Sequence, residues 1–208
     1  MIRNIVFDLG KVLLTFEPEA FLETLGFDAK TRQAVMTAMF HSPMWDESDR
    51  GELTPEELED AFAAADPAHE QQIRQAYGRV GDTIGLMPYA CEWIRELKAR
   101  GYHLYILSNY ARRTYEQSVE KMTFLPDMDG AVFSFQCRLI KPEPAIYRFL
   151  CEKYGLNPCE CVFLDDREEN VQQACLEGFR GIRFQNYGQA GEELERLLAE
   201  QEHTPAAL

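Results

Sequence analysis

Asp8 closes the apolar run Ile5-Val6-Phe7, and far downstream Asp165-Asp166 close the apolar run Cys161-Val162-Phe163-Leu164. Between them, Leu104-Tyr105-Ile106-Leu107 ends on Ser108-Asn109. A carboxylate able to act as a nucleophile, a hydroxyl and a pair of acids imply an enzyme if one cleft collects them. Each group sits just past a buried-type β run. The carboxyl edge of a parallel sheet is where open α/β folds gather such side chains.

That edge needs a sheet behind it. Strand-like runs fall at about Asn4–Asp8, His103–Leu107, Ala131–Phe135, Val162–Asp165 and Gly181–Phe184. Helix-like runs lie at Tyr89–Arg100, Arg112–Met122, Ala145–Tyr154, Glu169–Leu176 and Glu192–Glu200. From residue 89 the order helix, strand, helix, strand predicts an α/β fold: a Rossmann-like parallel sheet with helices on both faces. Gly101, Gly155 and Gly178 each follow a helical stretch and precede a strand, as helix C-terminal glycines should.

Residues 16–88 break this rhythm. They read as helices without a convincing strand, at Pro18–Leu25, Ala29–His41, Thr54–Ala65 and Ala68–Gly81. Thr54-Pro55-Glu56-Glu57 is a helix start, with a capping Thr, Pro at the first position and acid in the first turn. A helical block inserted after the first strand is most simply a cap over the sheet edge. The expected division is a core of residues 1–15 and 89–208 and a cap of 16–88. Within it, Trp45, Arg50 and His41 are candidates to face the cleft, whereas Phe21, Phe40 and Phe62 suit the cap's own interior.

Composition bounds the partners. The chain has 208 residues, 46% hydrophobic and 12% aromatic, enough for a sizeable core. A formal net charge of -14 offers no basic surface for phosphates, so no nucleic acid partner is expected. An anionic substrate would need a local positive site within a negative field. No apolar run approaches the ~20 residues of a membrane span, and no signal-peptide pattern opens the chain, so no membrane partner is expected. Six cysteines (91, 137, 151, 159, 161, 175) lack CxxC spacing; a reducing cytoplasm is the plain expectation, with no disulfide or cysteine metal site. Oligomeric state is left open.

Four segments together resemble a known family. Ile5-Val6-Phe7-Asp8-Leu9-Gly10-Lys11-Val12-Leu13, Ile106-Leu107-Ser108-Asn109, Lys141-Pro142-Glu143-Pro144 and Val162-Phe163-Leu164-Asp165-Asp166 are similar, in order, to the four motifs of the haloacid dehalogenase (HAD) superfamily. The helical insert looks like the small α-helical cap of one subgroup, and the stretch from Trp45 to Thr54 resembles a cap stretch in its sugar-phosphate phosphatases. Glucose-1-phosphate phosphatases of bacteria share the Asp-Leu-Gly of the first motif; the phosphatase domain of soluble epoxide hydrolases is more distant.

The resemblance implies a hydrolase, a Mg²⁺-dependent phosphatase of a small phosphorylated metabolite of the sugar phosphate class. Asp8 would attack phosphorus and form an aspartyl-phosphate. Lys141 would neutralise the nucleophile and the phosphoryl charge, while Ser108 and Asn109 would donate hydrogen bonds to phosphate, their other reading being caps of the helix at Ala111. Three carboxylates at one edge cannot all stay ionised without a cation. Mg²⁺ suits oxygen ligands, so Asp8, the Gly10 carbonyl and Asp166 are the expected ligands, with Asp165 binding directly or through water. Asn170, at helical spacing from Asp166, could orient that shell.

Gly10 departs from the family pattern. Most phosphatases of this superfamily carry there an Asp that serves as general acid and then base. Either another group supplies the proton, or the leaving group departs without one. Two other readings stay open: a metal-independent 2-haloacid dehalogenase in which Asp8 attacks carbon, and a non-catalytic phosphate-ligand-binding protein of the same fold.

Overall fold

The computed structural model describes residues 1–199. The chain opens with β1 (Asn4–Phe7) and β2 (Leu14–Phe16), followed by α1 (Pro18–Thr24), α2 (Ala29–Ala38), α3 (Pro43–Arg50), α4 (Pro55–Ala65) and α5 (Glu70–Tyr77). After β3 (Ile84–Leu86) come α6 (Ala90–Ala99), β4 (His103–Ser108), α7 (Arg112–Ser118) and β5 (Gly130–Phe133). The short α8 (Ser134–Cys137) and α9 (Pro144–Tyr154) lead to β6 (Cys161–Asp165), α10 (Glu168–Leu176), β7 (Arg180–Arg183) and α11 (Tyr187–Ala199). No helix among the described residues is long and apolar enough to cross a membrane.

Five strands form a parallel sheet in the order β5-β4-β1-β6-β7, with β1 central. Side chains alternate across it, as strand geometry requires. Ile5 and Phe7 enter one core with Trp93, Ile94, Leu97 and Leu194, and Phe7 meets Trp93 edge-on at 5.1 Å. Val6 faces the other way, among Ile146, Leu150, Phe163 and Ala174. Burial on both faces explains why β1, β4 and β6 read as continuous apolar runs.

Helices α1 to α5 carry their own apolar cluster, including Phe21, Leu22, Val35, Phe62, Ile73 and Tyr77. The expected helix start at Thr54 is a full capping box: Thr54 accepts from the Glu57 N–H, and the Glu57 side chain accepts from the Thr54 N–H. Three local expectations differ from the structure. Residues 16–88 do contain strand: β2 and β3 pair antiparallel where the insert leaves and re-enters the core. Ser42 caps α3, which has Pro43 at its first position and ends on Gly51; the sequence reading gave this stretch no helix. The strand expected at Ala131–Phe135 stops at Phe133, because Ser134 Oγ accepts from the Tyr110 N–H and donates to the Asp49 carbonyl.

Smaller boundary shifts have similar causes. α7 ends at Ser118, whose hydroxyl bonds back to the Thr114 carbonyl; a 3-10 turn, Val119–Lys121, completes the predicted span. A 3-10 turn, Pro67–His69, and α5 replace one long helix at 68–81. Glu200, expected to close the last helix, lies outside the described residues, as do residues 201–208 of the expected core.

At Gly51 the insert packs closely against α8. The Gly51 φ is +73°, and a Cβ there would lie 2.7 Å from the Phe135 backbone. Gly51→Ala is expected to cost about 2–4 kcal/mol, the sum of left-handed strain and a backbone clash. Gly101→Ala, at φ +89° with nothing within 4 Å, carries only the strain and is the control. Equal unfolding midpoints for the two variants in calorimetry would refute the contact.

Candidate active site

Asp8 follows the last residue of β1, and its N–H donates to the Leu164 carbonyl at 2.9 Å. Because Phe7 pairs with Leu164, continuing the register by one residue sets Asp8 beside Asp165. On the other side, β4 ends at Ser108. The turn after Asp8 is tight: the Leu9 carbonyl accepts from the N–H groups of Val12, Leu13 and Leu14, and Lys11 sits at φ +60°. That turn presents Gly10 and Lys11 to the cleft.

Lys141 ties the edge together. Its ammonium donates to Asp8 Oδ1 at 2.7 Å and to Asp165 Oδ2 at 2.6 Å, and its side chain is 1% exposed. Asn109 holds the main chain beneath it: its Oδ1 accepts from the Lys141 N–H at 2.8 Å, and its Nδ2 donates to the Lys141 carbonyl at 3.0 Å. One amide hydrogen of Asn109, expected for phosphate, is thus committed to positioning the lysine. Neither Ser108 nor Asn109 caps α7, whose N-cap is Ala111 without a side-chain bond. Ser108 is 1% exposed, and its hydroxyl makes only a long 3.4 Å contact with the Asn109 carbonyl.

The electrostatics follow from burial. Desolvation pushes Asp8 up to about 6, partly offset by Lys141 and reinforced by Asp165. Burial alone would lower the Lys141 pKa, but Asp165 and Asp8 outweigh it and hold the ammonium above its ordinary value. Asp166 is raised by burial and by Asp165, with Lys11 and Lys141 pulling the other way. Three carboxylates facing one close ammonium leave an excess of negative charge.

The oxygen donors suit a hard cation. Asp8, Asp165 and Asp166 each bring a carboxylate oxygen within 4.8 Å of the others. The oxygens of Asp165 are already engaged, by Lys141, by both contacts of Asn170 Nδ2 at 3.0 Å, and by the Arg167 N–H at 2.8 Å. Asn170 therefore orients Asp165 directly. Its Oδ1 is buried without a partner at the cleft wall, an acceptor suited to a water on a bound cation.

Asp8, Gly10, Asn109, Lys141, Asp166 and Asn170 line a cleft of about 230 Å³, a volume that suits a phosphate with a small organic group, whereas the almost fully buried Ser108 and Asp165 are not part of its lining. Lys11, Lys141 and Arg167 supply the local positive charge within a negative chain, while Phe16, Trp45, Ile84 and Tyr110 form apolar wall. Of the three proposed cleft-facing residues, Trp45 lines it, packed against Phe16 and Phe40. Arg50 instead forms a two-pronged pair with Glu143, at 2.7 and 3.2 Å, and His41 is an exposed turn residue. Sequence reasoning missed Lys11, Arg167 and Asp49. Lys11 lies within the first motif and Arg167 directly follows the fourth, so both were findable; Asp49 comes from α3, whose only local signals were Ser42-Pro43 and Gly51.

The family model described as haloacid dehalogenase-like hydrolase matches residues 2–174. A D-ribitol-5-phosphate phosphatase of Bacteroides thetaiotaomicron is 25% identical over 210 residues, 95% of this chain and 99% of that protein. (S)-2-haloacid dehalogenase 4A of Burkholderia cepacia is 25% identical over 141 residues, 68% of this chain and 61% of that protein. Drimenol cyclase drtB of Aspergillus calidoustus is matched over 95% of this chain but only 37% of its own length. Among solved structures, a magnesium complex of a HAD family enzyme from Bacteroides thetaiotaomicron superposes with a TM-score of 0.73 at 22% identity, covering 95% of this chain and 98% of that one.

Proposed function

The chain belongs to the haloacid dehalogenase-like hydrolases, and from that footing we propose that it is a Mg²⁺-dependent phosphatase of a small phosphorylated metabolite, of the sugar phosphate class. One observation carries this reading: three clustered carboxylates exceed the one ammonium among them, and the acceptor Asn170 Oδ1 lies beside them unpartnered. A phosphate monoester dianion would bring still more negative charge, which a divalent cation bound among the carboxylates would offset. The phosphatase relative of matching length and the small cleft with a cationic end support the substrate class.

Asp8 attacks phosphorus in line, forming an aspartyl-phosphate as the ester oxygen leaves; water then cleaves that intermediate and releases phosphate. Lys141 holds Asp8 in position and neutralises charge on the transferring phosphoryl group. Ser108 and the remaining amide hydrogen of Asn109 donate to phosphoryl oxygens. An oxygen of Asp8, the Gly10 carbonyl and an oxygen of Asp166 would hold Mg²⁺, while Asp165 stays with Lys141 and Asn170. The bound ion would supply charge neutralisation between nucleophile and phosphate. Helices α1 to α5 act as the cap that closes the cleft and selects the organic group.

A screen of phosphorylated sugars and sugar alcohols tests the reading. Dialysis against a chelator should take turnover to background, added Mg²⁺ should restore it, and Mg²⁺ alone should raise the unfolding midpoint. Full activity in excess chelator overturns the metal. Halide release from a 2-haloacid without ester cleavage overturns the phosphatase.

A further inference from the structure

Gly10 leaves position 10 without a carboxylic acid, and nothing lies within 4 Å of where its Cβ would point. In-line displacement drives the leaving oxygen away from Asp8, towards the insert side of the cleft. The carboxyl group found on that side is Asp49, which lines the same cleft as Asp8, Gly10 and Lys141 but comes from α3. Its placement is held by contacts of three consecutive residues, 49 to 51. The Asp49 carbonyl accepts from Ser134 Oγ at 2.5 Å, the neighbouring Arg50 grips Glu143, two residues from Lys141, and Gly51 packs against the Phe135 backbone.

Resting on the phosphatase reading above, we propose that Asp49 is the general acid and base of the reaction, supplied by the insert in place of the group missing at position 10. In the first step the Asp8–phosphorus bond forms, the bond from phosphorus to the ester oxygen breaks, and that oxygen takes the Asp49 proton. In the second, Asp49 accepts a proton from the water that attacks the phosphoryl group, and phosphate leaves with both carboxyls restored. The groups around Asp49 favour a starting state with the proton on. Burial, with Asp46 on its own helix and Asp8 across the cleft, pushes its pKa up to about 8, against the pull of Lys141 and Arg167. A carboxylic acid neutral at physiological pH can donate.

The test compares phenyl phosphate with 2,4-dinitrophenyl phosphate, aryl esters with leaving groups of very different basicity, each against the wild type on the same ester. Asp49→Asn is close to isosteric with the protonated acid and should unfold like the wild type. Its kcat/KM, which reports the first step, should fall about 10²-fold or more on phenyl phosphate and less than about tenfold on the dinitrophenyl ester. Slow loss of the aspartyl-phosphate should also produce a burst of dinitrophenol. Equal losses on the two esters, or no loss on either, overturn the role of Asp49 while leaving the phosphatase intact. A wild type inert towards both esters and towards every phosphorylated sugar and sugar alcohol of the screen above overturns the phosphatase reading and this inference with it.

Discussion

Asp8→Asn should abolish turnover, by at least about 10⁴-fold, and at the same time make the metal-free protein harder to unfold. The first effect follows because the amide cannot attack phosphorus, and losing a nucleophile is among the largest single-residue losses an enzyme shows. The second follows from its surroundings: Asp8 is 7% exposed, beside Asp165 and Asp166, and its pKa is pushed from 3.8 to about 6. A carboxyl whose folded pKa lies above its unfolded one costs nothing at a pH below both. The cost grows as pH rises between them and is complete above the folded value. The gain in the Asn variant should therefore be absent below about pH 4 and full above about pH 6, on the order of 1–3 kcal/mol. Calorimetry in chelator across that range checks it, with turnover assayed alongside in Mg²⁺. Retained turnover would remove Asp8 as nucleophile. A midpoint that never exceeds wild type would show that the carboxylate cluster is not strained.

Lys141→Met should also destroy activity, but with the opposite effect on stability. The ammonium contacts Asp8 and Asp165, which is fully buried, and removing it leaves two carboxylates in low dielectric without their cation. Breaking a buried pair from one side typically costs about 3–5 kcal/mol. For a chain of this length that lowers the unfolding midpoint by roughly 10 °C. Turnover should drop about 10³-fold, since charge on the transferring group loses its fixed counter-charge. Mg²⁺ should recover part of the midpoint, because it offsets some of the same negative charge, but not the rate. An unchanged midpoint in chelator would mean that the pair contributes nothing to the fold.

Much of this site was legible from local pattern. The strand-end positions of Asp8, Ser108 and Asp165-Asp166 could be read because a strand buried on both faces is a continuous apolar run, and its polar end marks the sheet edge. The capping box at Thr54 and the end of α9 at Gly155 were also visible, since caps act over three or four residues. β2 and β3 were not: each has three residues, and their pairing spans the whole insert. α3 was hidden because only Ser48 of its eight residues is buried, so it lacks the apolar stripe that announces a helix.

What the residues determined by themselves is the inventory: a parallel α/β core with a helical insert, a carboxylate at the end of the first strand, a lysine and paired acids, with Gly where an acid was expected. Only the tertiary structure decided how that inventory is divided. Packing puts Lys141 between Asp8 and Asp165, commits Asp165 to Lys141 and Asn170, and sets an oxygen of Asp166 within 4.8 Å of both other acids. It turns Asn109 towards the lysine backbone and brings Asp49 into the cleft that Gly10 leaves open. The reason is physical. Periodicity reports which face of an element is buried, because that depends on local spacing. Which distant element covers that face, and which charge it brings, depends on the packing of the whole chain.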